Sequence, residues 1–317
     1  MSLVVVGSMA FDAIETPFGK TDKILGGAAT YISLAASYFI QPVNAISIVG
    51  NDFTEDIMND LRSKNISLEG VEVVSDKPSF FWAGRYHNDM NSRDTLVTEL
   101  NVLADFDPKV PESYQDCEYL MLGNLTPDIQ RQVIERLPKR PKLIALDTMN
   151  FWIESALDSL KQVLQMIDVI IINDEEARQL SGEYSLRRAA RVIQNMGPQF
   201  VVIKKGEHGA LLFNGDEIFS APGLPLDEVF DPTGAGDTFA GGFIGHIAST
   251  GDTSFANMKR AIIMGSSLAS FCVEKFGPEQ LMNLTQQQIH GRVSQFVQLA
   301  DFNLLPQDIS DILDQSA

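Results

Sequence analysis

Cysteine is scarce in this sequence: Cys117 and Cys272 are the only two among 317 residues. Two thiols cannot form a disulfide framework in a chain of this length, so a reduced, cytoplasmic setting is expected. Histidine is nearly as rare. His87, His208, His246 and His290 are scattered, and no Cys/His grouping has zinc-like spacing. No run of about 18 uncharged apolar residues could make a membrane helix, and the N-terminus lacks the basic and apolar regions of a secretory signal. Basic side chains are in deficit too: 24 Lys and Arg against 42 Asp and Glu leave a net charge of -18. That balance argues against nucleic acid as a partner, because phosphate backbones need clustered cations. It argues equally against docking on anionic lipid. An anionic ligand must then be held by a local positive site that overrides the global field.

What is present is an ordinary globular composition, 44% hydrophobic and 21% charged. Leu3–Gly7, Asn44–Val49, Tyr119–Leu122, Leu143–Leu146, Val169–Ile172 and Phe200–Ile203 are short apolar runs that read as buried strands. Gly27–Phe39 and Phe53–Ser63 read as helices, and Thr126-Pro127 opens another with a capping residue followed by proline at the first position. The alternation predicts an α/β fold, a doubly wound, mostly parallel sheet flanked by helices. Val71–Val74, Ser79–Tyr86 and Thr95–Leu100 break the pattern with β-forming segments around the turn residues Asn88–Ser92, which reads as an inserted antiparallel hairpin. The expectation is one domain over residues 1–317 with a small β lid formed by about 13–25 and 71–101. Ala210–Phe213 and Glu217–Ser220 flank Asn214-Gly215-Asp216, a second hairpin. The last third is helical in pattern: Ala235–Thr250, Ser254–Lys275, Gln286–Leu299 and Gln307–Asp314.

The stretch from Asp231 to Phe243, Asp-Pro-Thr-Gly-Ala-Gly-Asp-Thr-Phe-Ala-Gly-Gly-Phe, carries the most chemistry. A glycine-rich turn opens directly into a helix, whose first N–H groups point outward with partial positive charge. Gly234 and Gly236 let an anion approach the backbone, and Ala235 lies between them. Asp237 follows at once. A base beside an anion hole is the pair needed to deprotonate a hydroxyl and hold the charge of a transferred phosphoryl group. No Lys-Ser/Thr follows the glycines, so this is not a P-loop. Phe239 stands where a dinucleotide fingerprint would have its third glycine.

This stretch resembles the C-terminal signature of the ribokinase-like (PfkB) carbohydrate kinase family. Further segments agree in chain order. Gly7-Ser8-Met9-Ala10-Phe11-Asp12 follows the first strand, Gly26-Gly27 opens the Ala-rich helix, and Val49-Gly50-Asn51-Asp52 resembles the family's Gly-x-Asp element. The resemblance implies substrate contacts at Asp12, Gly26, Gly27, Asp52 and Tyr31. Asn173-Asp174-Glu175-Glu176 matches an Asn-x-x-Glu motif, implying Asn173 near the ATP phosphates and Glu176 holding Mg²⁺ through water, because Mg²⁺ dehydrates reluctantly. Simple helix capping by Asn173 and Glu176 is the alternative. Lys204-Lys205-Gly206-Glu207-His208-Gly209 aligns with a nucleotide-binding Thr-x-Gly-x-x-Gly, which assigns Lys204, Gly206 and Gly209 to the nucleotide. Ala269-Ser270 and Gly277 resemble the segment near the family's monovalent-cation site, so K⁺ joins ATP and Mg²⁺ as an implied requirement.

The resemblance implies ATP-dependent phosphorylation of a hydroxyl on a sugar or sugar-like molecule, with Asp237 as general base and Gly234, Ala235 and Gly236 as the anion hole. Ala28 and Tyr31 stand where ribokinase carries a Lys and an Asn, and Phe80, Phe81, Trp82 and Tyr86 cluster on the lid, so an adenosine-like nucleoside or a cyclitol is a second acceptor class. Arg85 and Arg93 on the hairpin admit a sugar phosphate as well. A non-catalytic sugar or nucleotide sensor on the same fold is a reading of another class, and pairing of lid edges into a homodimer is a further expectation.

Overall fold

The computed structural model describes residues 1–301; the helix expected at Gln307–Asp314 lies outside them. The apolar runs form one nine-stranded sheet. Its strands are β1 (Leu3–Val6), β5 (Val43–Val49), β6 (Ile66–Val73), β9 (Tyr119–Leu122), β10 (Leu143–Asp147), β11 (Val169–Asn173), β12 (Phe200–Lys204), β13 (Ala210–Asn214) and β14 (Glu217–Ala221). The order is β14-β13-β12-β11-β10-β9-β1-β5-β6, parallel except for the β12–β13–β14 meander at one edge. Strands covered on both faces need continuous Val, Ile and Leu, which is what β1, β9 and β10 supply. Leu3 and Val5 enter one core while Val4 and Val6 enter the other.

Helices cover both faces. The first core holds α1 (Ala28–Ala36), α2 (Glu55–Ser63), α8 (Ala235–Thr250) and α9 (Phe255–Cys272). The second holds α3 (Pro127–Arg136), α4 (Asn150–Ser155), α5 (Leu157–Leu164), α6 (Asp174–Ser181) and α7 (Leu186–Gln194). The short α10 (Glu279–Met282) and α11 (Gln286–Ala300) close a third cluster around Tyr31. Helix α8 lies in contact with both α1 and α9 because its glycines remove side-chain bulk. A Cβ on Gly241 would stand 2.3 Å from the Ile32 carbonyl oxygen, and one on Gly242 would meet the Gly265 backbone at 2.9 Å. No helix among the described residues is long and apolar enough to cross a membrane.

A second, five-stranded sheet stands beside the first. It combines β2 (Ala10–Thr16), β3 (Gly19–Lys20) and β4 (Ile24–Gly26) with the hairpin β7 (Phe80–Tyr86) and β8 (Arg93–Glu99). Strand β2 runs parallel to β7 and antiparallel to β3 and β4. The expected lid span needs correction at its start. Residues 71–73 belong to β6, which pairs in parallel with β5 at the edge of the large sheet. An edge strand half open to water reads like a hairpin arm, because its exposed Glu69, Glu72 and Val73 carry no mark of their partner. The small sheet spans 10–26 and 80–99 instead. Its root is fastened by Asp52, whose Oδ1 accepts from the Ser79 N–H (2.8 Å) and hydroxyl (2.7 Å) and whose Oδ2 accepts from Lys23 Nζ (2.9 Å).

Gly241→Ala should destabilise the chain by about 1–3 kcal/mol, because the added methyl meets a backbone carbonyl that cannot swing aside. Urea unfolding reads this out, and a midpoint unchanged or raised would mean that α1 and α8 are not packed this closely.

Candidate active site

Asp147, Asn173 and Lys204 end three adjacent parallel strands, with Asp147 level with Ile171 and Asn173 level with Lys204. They share the carboxyl edge of the sheet, where open α/β sheets bind ligands. Helix α8 starts at the same edge. Gly234 at its N-cap has a φ of 75°, and no side chain caps the helix. A Cβ there would also strike the Tyr31 ring, 2.5 Å away. The turn is held from behind by buried Asp231, which accepts from the N–H groups of Thr233 (2.8 Å) and Gly277 (2.9 Å). The Ala235 N–H donates to the Pro232 carbonyl at 3.2 Å. Among the described residues the N–H groups of Gly234, Gly236 and Asp237 find no protein acceptor. Of the three residues expected to form an anion hole, Gly234 and Gly236 thus have free N–H groups, as does Asp237, whereas the Ala235 N–H is engaged.

Lys204 is the centre of charge. Its Nζ stands 3.3 Å from Asp147 Oδ1, and a Cβ on Gly236 would lie 2.9 Å from that same nitrogen. Burial alone would discharge the amine, but Asp147, Glu176 and Asp237 outweigh it and hold its pKa above the usual lysine value. The carboxylates move up in turn. Burial, reinforced by Asp147 and opposed by Lys204, brings Asp237 to about 7. Burial likewise brings Glu176 to about 7, with Lys204 opposing, and it raises Asp147 against the pull of Lys204. Asp237 Oδ1 is enclosed and has no hydrogen-bond partner among the described residues. A carboxylate titrating near neutrality with a free oxygen can accept a proton at physiological pH.

The residues expected to contact substrate divide. Asp12, 5% exposed, sits above Gly26, where a Cβ would collide with its Oδ2 at 2.0 Å. Burial and then the Asp231 charge raise its pKa to about 7. Gly27, with a φ of 92°, caps α1 and passes so close to Ser8 that a Cβ would lie 2.5 Å from its carbonyl oxygen. Tyr31, expected to contact substrate, is 1% exposed and forms the wall behind Gly234. Asp52, expected in the same role, has both oxygens engaged at the root of the small sheet. Those hydrogen bonds, above all from Lys23 and Ser79, overcome burial and hold its pKa below the usual value.

Asn173 and Glu176, expected at the nucleotide, do form a capping box. Asn173 Oδ1 accepts from the Glu176 N–H at 2.7 Å, and Glu176 Oε2 accepts from the Asn173 N–H at 2.8 Å. Glu176 Oε1 carries no protein hydrogen bond among the described residues, which also offer no group of three His, Cys, Asp or Glu side chains able to hold a metal. Gly206 is exposed with a φ of 54°, whereas Gly209 is turned inward, and a Cβ on it would lie 2.1 Å from the Ala221 carbonyl oxygen. Gly209 shapes the loop, and Gly206 lies on its surface beside Asn91.

Sequence reasoning missed Asp147 as a site residue, and it named the lid aromatics without their register. Listing the residue that follows each buried strand would have found Asp147 beside Asn173 and Lys204. Trp82 is level with Asp12 across the β2–β7 pair, and its indole lies across Gly84, where a Cβ would come within 2.0 Å of it. Thr233 Oγ1 donates to the Tyr86 hydroxyl at 3.1 Å, fastening the hairpin to the turn before α8.

Asp237 binds its proton more tightly in the folded chain (about 7) than its ordinary value of 3.8, so its contribution to stability is present at low pH and lost as pH rises from about 4 through about 7. Asp237→Asn should therefore be more stable than the parent near neutrality by about 1–2 kcal/mol, allowing for solvent contact, with the gain shrinking toward about pH 5. Urea unfolding at both pH values tests this; a variant less stable than the parent at each would refute the strained-carboxylate account.

The whole arrangement has relatives. The chain is 29% identical over 250 residues to the cytidine kinase of Thermococcus kodakarensis, covering 77% of this chain and 87% of that one. The nucleoside kinase of Methanocaldococcus jannaschii, described as an archaeal member of the ribokinase family, superposes with a TM-score of 0.75 at 18% identity over 93% of this chain and 99% of that one. The aminoimidazole riboside kinase of Salmonella enterica, complexed with aminoimidazole riboside and an ATP analog, superposes with a TM-score of 0.71 at 17% identity over 92% and 100%. Residues 1–284 match the pfkB family carbohydrate kinase description, and that span contains both sheets, the Gly234–Asp237 turn and Lys204. The chain belongs to the pfkB family of carbohydrate kinases.

Proposed function

We propose that this kinase transfers the γ-phosphoryl group of ATP to a hydroxyl of a nucleoside, with Asp237 as the base. The observation that carries the reading is the unpartnered Asp237 Oδ1, titrating near about 7, beside the free N–H groups of the α8 start and Lys204. The acceptor O–H gives its proton to Asp237 as its oxygen bonds to the γ-phosphorus. The bond from that phosphorus to the bridging oxygen breaks, and ADP leaves with the electron pair. The Gly234, Gly236 and Asp237 N–H groups and Lys204 Nζ hold the charge on the phosphoryl oxygens. Asp12 binds acceptor hydroxyls above Gly26 and Gly27.

Glu176, with its free Oε1, fits a Mg²⁺ ion held through water and ATP phosphates, and such an ion screens phosphate charge when bound. A monovalent ion such as K⁺ belongs to the proposal through the resemblance of Ala269-Ser270 and Gly277 alone. The nucleoside preference over a plain pentose or cyclitol rests on the Trp82 indole, a flat surface level with Asp12 and suited to a base, and on the kinds of substrate named for the relatives above. The sensor reading gives no role to a free, strained carboxylate. The small sheet acts as the lid. Its outer strand β8 is exposed along its length, Leu96 at 49% and Val97 at 40%. An unpaired edge of this kind suits a second copy of the chain, so a homodimer through β8 is part of the proposal.

ADP release with Mg-ATP across cytidine, adenosine, inosine, ribose, fructose and inositol should be strongest with one of the nucleosides. Its rate should rise with pH through about 7 as Asp237 loses its proton, and Asp237→Asn should lose about two to four orders of magnitude in turnover. A variant of near-normal rate removes Asp237 as base, and preference for free ribose removes the nucleoside. Light scattering should give a dimer that Val97→Asp dissociates; a monomeric parent at working concentration ends that part.

A further inference from the structure

Two arginines stand on the lid hairpin, and strand register separates them. Tyr86 and Arg93 oppose each other in the β7–β8 pair, so their side chains leave the same face. The Tyr86 hydroxyl meets Thr233 at 3.1 Å, which turns that face toward the start of α8. Arg85 leaves the other face and is paired with Glu15 at 2.8 Å. Arg93 is exposed and makes no ion pair or hydrogen bond among the described residues; its guanidinium lies 5.9 Å from the Trp82 ring centre. Two residues before it, the hairpin tip reaches the nucleotide loop, where a Cβ on Gly206 would lie 2.8 Å from Asn91 Oδ1. Arg93 thus stands between a contact to the turn before α8 and a contact to the Gly206 loop. Its charge reaches both carboxylates, pulling Asp237 and Glu176 down against the burial that raises them.

We propose that Arg93 clamps the transferring phosphoryl group from the lid side, opposite Lys204. The proposal rests on the phosphotransfer reading above. Charge spreads over the equatorial phosphoryl oxygens during transfer. Lys204, anchored by Asp147, meets that charge as a fixed point from below, and a guanidinium fork spans two oxygens from above. Arg93 forms no covalent bond and keeps its protons throughout. Because the hairpin carries it, the second cation arrives only when the lid is shut over the acceptor, which disfavours transfer to water.

Binding measurements test this without turnover. The probes are ADP and the β,γ-imido analogue of ATP, each titrated with Mg²⁺ by calorimetry in the presence of saturating cytidine, and ribose 5-phosphate titrated alone. Arg93→Ala should weaken the triphosphate analogue about 10–100-fold and leave ADP within about twofold, and Arg93→Lys should recover part of the loss. Arg85→Ala, on the outer face, should change neither. Equal weakening of analogue and ADP, or of neither, overturns the clamp. Loss confined to ribose 5-phosphate also overturns it, by assigning Arg93 to a phosphate on the acceptor. Normal turnover in Asp237→Asn would remove the base reading and leave these affinities unaffected, so the two failures are distinguishable.

Discussion

A lysine ammonium buried among three carboxylates is the constraint on which this site depends. Lys204 would lose its charge if burial acted alone, and Asp147, Glu176 and Asp237 prevent that. The converse also holds, since three acidic groups could not share the sheet edge without the cation between them. The arrangement is set by backbone register. Asp147, Asn173 and Lys204 come to one edge because β10, β11 and β12 are parallel and in step, with Asn173 and Lys204 level and Asp147 level with Ile171, and a slip of one residue would send each side chain to the opposite face. The start of α8 depends on the same amine, because only glycine at position 236 leaves room for it.

Much of the fold was legible because strands covered on both faces require apolar runs, nearly unbroken in β1, β9, β10, β11 and β12 and interrupted only by Asn44 and Ser47 in β5. The hairpin at β7–β8 was legible from its turn residues. The partner of β6 was not, since residue types at an edge strand do not say which sheet the edge belongs to. Around the start of α8 the structure brings Asp237, Gly234, Gly236, Asp12, Glu176 and Lys204 near one another, and their order along the chain was enough to suggest it. Tyr31 and Asp52 could not be resolved in the same way. A motif position says that a residue is near the cleft, whereas contact depends on where its polar atoms are already committed.

The capping box at Asn173 and Glu176 shows why structural and chemical readings of one motif need not compete. The hydrogen bond that fixes Glu176 Oε2 to the Asn173 N–H also fixes the direction of its other oxygen. A side chain held at one atom is a more precise ligand at the next, as with outer partners around metal sites. Gly209 is the contrasting case, where loop shape alone accounts for the residue.

The hairpin touches the body beside each half of the cleft, at Thr233 and at Gly206. One door therefore serves two tenants. On the proposed reading, a phosphorylated product and ADP would occupy spaces closed by the same piece, so neither would have an exit of its own. The residence time of each product would then be tied to the frequency with which a single hairpin lifts, and a tight hold on either one would slow the departure of both.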